Sequence, residues 1–227
     1  MPTLTFHGHA TFSLETDEGT MLVVDPFFAD NPAFDGTADD VEADYILLTH
    51  GHADHVSDAM PLAERTGATI IASFEIASYM ENHGLTASPQ HIGGGVQYPF
   101  GHVKMTAALH GGMVALPAAE SFTTVPAGFL IRLNSGERVY FAGDTALLMD
   151  MQLLKGKVDV AILPIGDRFT MGPEDAVTAI DFIEPEVVIP CHYDTWPPIE
   201  QDAQAFARDV GDRARVQVMA PGDRYDL

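Results

Sequence analysis

Positive charge is scarce in this sequence. It contains 11 lysine and arginine residues against 33 aspartate and glutamate residues, which gives a formal net charge of −22 at pH 7. A surface of this sign repels the phosphates of nucleic acids and the headgroups of anionic lipids. The composition therefore disfavours a nucleic-acid partner and a membrane partner.

Lysine is especially rare, and only Lys104, Lys155 and Lys157 occur. A lysine-poor, acid-rich composition is expected of a protein that stays soluble in a salt-rich cytoplasm. An ordinary acidic protein is the alternative. The two differ in how strongly folding stability depends on salt.

Cysteine and long apolar runs are also nearly absent. The single cysteine, Cys191, excludes an intrachain disulfide and fits a reducing compartment. No apolar run approaches the ~20 residues that span a bilayer, and the first residues lack the pattern of a secretory signal. We therefore expect a cytoplasmic protein. Although Cys191 precedes His192, a small buried thiol is favoured over a catalytic one.

Short strand-like runs alternate with helical patterns, which predicts an α/β protein. No shift in composition marks a linker, so we predict one domain over residues 1–227. Strands are predicted at 3–6, 11–15, 20–24, 45–48, 69–72, 103–109, 128–133, 138–142, 158–164, 187–190 and 215–219. Helices are predicted at 58–64 with Ser57 as the cap, and at 73–82, 173–182 and 200–210.

The most informative segment is Thr49–His55, which carries three histidines and an aspartate directly after an apolar run. Imidazole is the commonest metal ligand, and in an extended segment His50 and His52 point to the same side. Asp54 and His55 then face a neighbouring position, which indicates a second ion beside the first. A merely polar, solvated loop is the disfavoured alternative.

Three more residues of ligand type follow predicted strands: His110, Asp144 and His192. Each alone is weak, because a strand-end Asp often caps a turn and a lone His often makes a core hydrogen bond. Together they complete a dinuclear set with a shared water. In this assignment His50, His52 and His110 hold one ion, Asp54, His55 and His192 hold the other, and Asp144 bridges both.

The order His-x-His-x-Asp-His, then His, Asp and His, resembles the metallo-β-lactamase superfamily. Segments 7–12, 169–176 and 190–197 resemble its small prokaryotic branch of metal-dependent hydrolases, related to the ascorbate-6-phosphate lactonase group. The resemblance covers essentially the whole chain. It implies a four-layer αβ/βα sandwich with the metals at one edge, between two central sheets.

This ligand set supports a metal-dependent hydrolase, because two divalent cations lower the pKa of a bridging water and supply hydroxide near neutral pH. Zinc is the expected metal, and manganese, iron and nickel fit the same ligands. Asp54 would be both a ligand and the catalytic group that orients the water or takes its proton. An ester, a lactone or a phosphoester-type small molecule is the expected substrate.

Other residues are expected around the site. The resemblance implies a buried carboxylate under the metals at Asp25, where it could orient a ligand imidazole; a strand-ending turn before Pro26 is an equal alternative. The rim or substrate surface is predicted to include His7, His9, Asp167, Arg168 and Tyr193. For His7, His9, Asp167 and Arg168, ordinary placement at the surface is the alternative.

Two long loops, 26–43 and 111–126, are expected to carry function. Their apolar residues predicted to line a substrate cleft are Phe27, Phe28, Phe34, Met113, Leu116 and Phe122. Core packing, or contact between copies in a homo-oligomer, explains these residues equally well.

Other functions stay open as alternatives. An iron-dependent redox enzyme of the same fold is the nearest, although the di-iron oxygen reducers of the superfamily place Glu where His52 stands and carry a flavin domain. Nucleic-acid processing is disfavoured by the charge, and a glyoxalase II-like thioesterase by the short chain after His192. A non-catalytic metal-binding protein would not need a bridging carboxylate with an open water position.

Overall fold

Two seven-stranded sheets form the centre of the molecule. The structure is a computed structural model, and it describes residues 1–115 and 122–227. The strands are β1 (Thr3–Phe6), β2 (Phe12–Glu15), β3 (Met21–Val24), β4 (Tyr45–Leu47), β5 (Thr69–Ser73), β6 (Ala87–Gln90), β7 (Gly95–Tyr98), β8 (Gly101–Ala107), β9 (Ala127–Leu133), β10 (Arg138–Phe141), β11 (Val160–Pro164), β12 (Val187–Cys191), β13 (Arg215–Val216) and β14 (Arg224–Asp226). The α-helices are α1 (Ala53–Val56), α2 (Ala59–Thr66), α3 (Phe74–Asn82), α4 (Pro173–Ile183) and α5 (Ala203–Val210).

Each sheet is antiparallel in one half and parallel in the other. The first has the order β14-β1-β2-β3-β4-β5-β6, and its strands are parallel from β3 to β6. The second has the order β13-β12-β11-β10-β9-β8-β7, and its strands are parallel from β13 to β10. Parallel strands end at one edge of their sheet, which is where ligand sites form in α/β folds.

The sheets pack face to face, and helices cover their outer faces. Leu47 belongs to the central core with Phe129 and Ile162 of the second sheet. The neighbours of Leu47, Ile46 and Leu48, point the other way and pack among residues of α2 and α3. A third cluster joins β11 and β12 to α4 and α5. These four layers confirm the predicted α/β sandwich.

The predicted strands are present with small shifts at their ends, but three observed strands are missing from the prediction. β6 contains Pro89, β7 begins at the last of three consecutive glycines, and β14 is charged. All three lie at or next to a sheet edge, where pairing places little demand on side-chain type. The predicted β8 also ends earlier, at Ala107 rather than Leu109.

The helix prediction after Ser57 needs correction. A separate helix, α1, begins at Ala53, and Asp58 rather than Ser57 precedes α2. The Asp58 carboxylate accepts hydrogen bonds from the backbone N–H groups of Phe28 and Ala29, so it fastens the loop after β3 to the start of α2. The last helix begins at Ala203 rather than residue 200, because Asp202 caps it.

Cys191 is buried, as expected, and burial raises the pKa of its thiol well above the ordinary value. Such a thiol is a packing residue rather than a nucleophile. Among the residues that the structure describes, none of the helices has the length and apolar character required to cross a bilayer.

Candidate metal centre

Four strand ends meet at one edge of the sandwich. The chain reaches His50 after β4, His110 after β8, Asp144 after β10 and His192 after β12. β10 and β12 both run parallel to β11, so their C-terminal ends lie at the same edge. The topology therefore brings together ligand-type residues that are far apart in the sequence.

The segment after β4 turns from extended to helical within a few residues. His52 keeps an extended backbone, with φ −67° and ψ 149°, and Ala53 begins α1. A Cβ atom at Gly51 would lie 2.6 Å from Val114 Cγ2, so only glycine lets the loop after His110 approach the histidines this closely. Ala115 donates its backbone N–H to the Gly51 carbonyl across this contact.

His50, His52 and His110 converge in the first group of ligand atoms. His52 Nδ1 lies 3.0 Å from His50 Nε2 and 3.2 Å from His110 Nε2. Zn–N distances of about 2.0–2.1 Å in a tetrahedral site imply N···N separations of about 3.3 Å. The three nitrogens therefore have the spacing of ligands to one ion.

The second group contains Asp54, His55 and His192, together with His9. Asp54 Oδ2 lies 3.8 Å from His192 Nε2 and 3.9 Å from His55 Nε2. His9 Nε2 is closer to the same oxygen, at 3.1 Å. The structure thus brings together the residues of both predicted groups, and His9 joins the second.

Asp144 lies between the two groups. Its Oδ2 atom is 3.0 Å from His192 Nε2, 3.3 Å from His55 Nε2 and 3.5 Å from His110 Nε2. It is also 3.9 Å from His50 Nε2. A carboxylate that approaches members of both groups is positioned to bridge two ions.

The chemistry of these residues fits bound cations. Among the described residues, His55 Nε2, His192 Nε2 and Asp144 Oδ1 are buried without a hydrogen-bond partner. Leaving such a group unsatisfied costs about 1–3 kcal/mol. The other nitrogens of two ligands are already engaged, since His50 Nδ1 meets Thr49 Oγ1 and His55 Nδ1 meets Asp25. In His50 and His55, Nε2 is thus the ring nitrogen that faces the other ligand-type residues.

The electrostatics favour cations as well. Burial alone would raise the pKa of Asp144, but His192 and His55 hold it well below its usual range. Burial lowers the pKa of His50. Burial also opposes protonation of His55, yet Asp144 and Asp25 outweigh it and raise the pKa of this imidazole. Ionised carboxylates and neutral imidazoles are the forms that bind metal, and a cation would supply the positive charge that His55 otherwise carries.

Asp25 lies directly behind the histidines. Its Oδ2 atom accepts from His55 Nδ1 at 2.8 Å and from the Thr49 hydroxyl at 2.6 Å, while Oδ1 accepts from the Thr49 backbone N–H at 2.8 Å. In the neutral, metal-binding form of His55, the carboxylate would therefore favour the tautomer with the proton on Nδ1. It has the geometry that the resemblance implied for it.

His9 is more deeply involved than a rim residue. It is buried, its Nδ1 lies 2.8 Å from Thr195 Oγ1, and its carbonyl accepts from the His192 backbone N–H at 2.7 Å. His9, Asp25 and His192 all have left-handed backbones, with φ of 57°, 48° and 54°. Strain of this kind in non-glycine residues collects at functional sites. The residue types in the sequence do not indicate these left-handed conformations.

The other predicted rim residues lie apart from the ligand atoms. His7 meets Ser13 Oγ at 2.7 Å and packs against Phe28 and Phe34. Arg168 lies over the Phe169 ring, 5.7 Å from its centroid. Asp167 is exposed, with its backbone N–H bonded to the Met171 carbonyl. Tyr193 is half-buried against the α4–α5 core cluster, and burial raises its pKa to about 12.

Core packing, rather than a cleft, accounts for most of the predicted cleft residues. Phe28 belongs to the outer core cluster of the first sheet, and Phe34 and Phe122 pack against it. Phe27 is also buried, with its ring beside His9 and Trp196. Met113 is 58% exposed, and Leu116 lies outside the described residues.

Among the described residues of the centre, exposure to solvent differs from one ligand-type side chain to the next. The side chains of Asp54 and His110 are 27% and 13% exposed, whereas His55, Asp144 and His192 are at 3% or less. His52 is also partly exposed. A small molecule can therefore approach the ligand atoms from the side of Asp54, His52 and His110.

Comparisons with known proteins agree with this architecture. Residues 20–193 match the model of the Beta-lactamase superfamily domain. A UPF0173 metal-dependent hydrolase of Heliobacterium modesticaldum is 47% identical over 99% of this chain and 97% of its own. Igni18, a metallo hydrolase of Ignicoccus hospitalis, superposes with a TM-score of 0.89 and 33% identity over 100% of this chain and 99% of that one.

A more distant structure has the same fold. CmlA, a diiron β-hydroxylase of Streptomyces venezuelae, gives a TM-score of 0.77 at 16% identity, and the match covers 100% of this chain and 54% of CmlA. The family match and the close relative, together with the strand-end histidines and aspartates, lead to one assignment: the chain belongs to the metallo-β-lactamase superfamily, in the family of UPF0173 metal-dependent hydrolases.

Proposed function

We propose that this metal-dependent hydrolase works with two divalent cations and cleaves an ester, a lactone or a phosphoester-type bond in a small molecule. His50, His52 and His110 would hold one cation, Asp54, His55 and His192 the other, and Asp144 both. Zinc suits this set, and manganese, iron and nickel are alternatives. Bound there, the cations would supply Lewis acidity and hydroxide from a coordinated water at neutral pH.

The position of Asp144 carries this proposal. A site for one ion would need only three or four ligands around one point, but here one carboxylate oxygen lies within 3.5 Å of nitrogens from both groups. A bridging carboxylate supports a pair of ions with a reactive solvent position between them. A structural or storage site is normally closed by protein ligands, whereas this centre is open at Asp54.

Asp54 is the proposed proton acceptor. It is the most exposed carboxylate of the centre, and despite its burial the His9 hydrogen bond helps to hold its pKa well below the usual range. Asp54 is therefore ionised at neutral pH and able to orient a water molecule or take its proton. His9, bonded to Asp54 on one side and to Thr195 on the other, would fix the direction of the carboxylate.

Metal content and turnover measured together test the proposal. We expect His52→Ala and Asp144→Ala to lose bound metal and at least about 100-fold in turnover of a nitrophenyl ester, a lactone or a nitrophenyl phosphodiester, with the circular dichroism spectrum kept. His83→Ala, which changes an exposed histidine beside Tyr79, is the control. Wild-type turnover in a variant that has lost its metal would refute the assignment.

The fold match to CmlA keeps a redox function as the second candidate. Elemental analysis and the visible spectrum of freshly purified protein separate the two. Stoichiometric iron with oxygen-dependent chemistry and no hydrolysis would favour the redox function. Zinc or manganese together with hydrolysis would support the proposed hydrolase.

A further inference from the structure

A cavity lies away from the metal centre, on the outer face of the second sheet. It has a volume of about 350 Å³ and is bounded by β8, β9 and β10 and by the 3-10 helix Met149–Leu154. This is within the range of about 300–1,000 Å³ that is typical of ligand pockets, at its small end. α4 and α5 cover β11 and β12, and the cavity begins beyond them.

The walls are mostly apolar. Leu130 and Tyr140 stand side by side on β9 and β10, and Met151 closes the cavity from the 3-10 helix. Leu153, at the rim, is 69% exposed. Thr106 also lines this wall. A hydrocarbon chain suits this surface.

Two of the three lysines of the chain line this one cavity. Lys104 is the cross-strand partner of Leu130, and Lys157 is held at the rim by a 2.7 Å hydrogen bond to the Leu153 carbonyl. Arg132, two residues from Leu130 on the same strand, points to the same face. Asp150 is the one carboxylate in the lining. In a chain of net charge −22, this is a local positive patch over an apolar floor.

We propose that this cavity binds a small amphipathic carboxylate, with its hydrocarbon chain against Leu130 and Met151 and its carboxylate between Lys104 and Lys157. A monoanion suits the site better than a dianion, because the negative field of the whole molecule penalises each added charge. The small volume restricts the hydrocarbon to a short or medium chain.

Sodium octanoate is the probe, added to the metal-loaded protein labelled at its methionine methyl groups and observed by NMR. We expect the Met151 signal, assigned with Met151→Leu, to shift, and the signal of Met80, buried in α3, to stay. Octanol, which has the same chain without the charge, should bind about tenfold more weakly. A shift confined to Met113, which lies outside this cavity, would place octanoate elsewhere on the protein and overturn the proposal.

The lysines provide matched variants. Lys104→Gln combined with Lys157→Gln should weaken octanoate binding about tenfold, whereas Lys155→Gln should leave it unchanged. Lys155 is exposed, pairs with Glu184 and stands outside the cavity lining. An equal loss in Lys155→Gln would show a general charge effect and refute the site. A dimer in which Met151 does not respond to octanoate would also refute the site. Light scattering detects such a dimer, and its dissociation by Leu153→Asp would show that a second copy covers this face.

Discussion

At the scale of single residues, the Asp25 carboxylate orients side chains of the metal centre. It bonds both Thr49 and His55, so it couples the end of β4 to the first turn of α1. We expect Asp25→Asn to weaken metal binding about 10–100-fold, because the amide can no longer hold the proton on His55 Nδ1 with the same strength. Competition with a chromogenic chelator measures the affinity.

Asp58→Asn is the matched control for Asp25→Asn. Asp58 is also a buried aspartate, but its carboxylate bonds the backbone N–H groups of Phe28 and Ala29. Its replacement should lower the free energy of unfolding by about 1–3 kcal/mol and leave metal affinity unchanged. If both variants lost metal equally, the effect of Asp25 would be one of general stability.

His9 offers a prediction about turnover. We expect His9→Ala to reduce kcat by about tenfold or more while most of the bound metal is kept, because Asp54 loses the partner that orients it. His9→Gln should restore part of the activity, since its amide can still donate to Asp54. Metal loss equal to the loss of kcat in His9→Ala would instead make His9 a ligand.

The seven residues predicted as ligands could be proposed from the sequence for two reasons. His50, His110, Asp144 and His192 follow strands, and His52, Asp54 and His55 cluster beside His50. His9 was placed only at the rim, because its contact with Asp54 depends on two neighbouring left-handed residues, His9 and His192. Nothing about their residue types marks that backbone. Phe28 and Phe34 could not be separated from cleft residues, since an apolar loop residue packs inward or outward according to tertiary contacts alone.

At the scale of elements, an ion pair joins β10 to the turn that precedes β11. The Asp159 carboxylate accepts from the Arg138 guanidinium and, at 2.8 Å, from the Arg138 backbone N–H. The hydrogen bond from the Arg138 side chain lowers the pKa of Asp159. The ionised carboxylate therefore stabilises the fold above its unfolded-state pKa, and this stabilisation is lost as the pH falls through the folded-state pKa.

Acid titration of Asp159→Asn checks this pair. At neutral pH the variant should be less stable by about 0.5 kcal/mol, a value discounted because both side chains are partly exposed to solvent. The difference from wild type should shrink as the pH falls below about 4. Urea unfolding at several pH values measures it, with the exposed Asp17→Asn as control. A difference that stays constant with pH would contradict the role of the charge.

The predictable elements are those with two buried faces or a clear cap. β4 and β12 read as continuous apolar runs because both faces of a central parallel strand are covered. β6 and β14 have no such pattern, since edge strands are recruited by backbone pairing. α1 is too short for helical periodicity to appear, so the turn that presents Asp54 and His55 was visible only as a cluster of ligands.

At the scale of the whole molecule, the acidic charge is distributed unevenly. The groove between α4 and α5 is lined by Asp167, Glu174, Asp175, Asp202 and Asp209. Folding brings these carboxylates together, and at low salt they repel one another. By contrast, Lys104 and Lys157 share the cavity of the second sheet. The net charge in the sequence predicted the repulsion but not this separation, because it depends on which strands and helices become neighbours.

Salt should therefore stabilise this protein. Raising KCl from about 0.01 M to about 1 M shortens the Debye length from about 30 Å to about 3 Å, so repulsion between neighbouring carboxylates is screened. We expect the unfolding temperature of the metal-loaded protein to rise by about 4–8 °C, equivalent to about 2 kcal/mol. Asp175→Asn combined with Asp209→Asn should show a smaller rise, and the charge-conserving pair Asp175→Glu and Asp209→Glu the full one. Equal unfolding temperatures at both salt concentrations would mean that the acidic composition places no demand for salt on the fold.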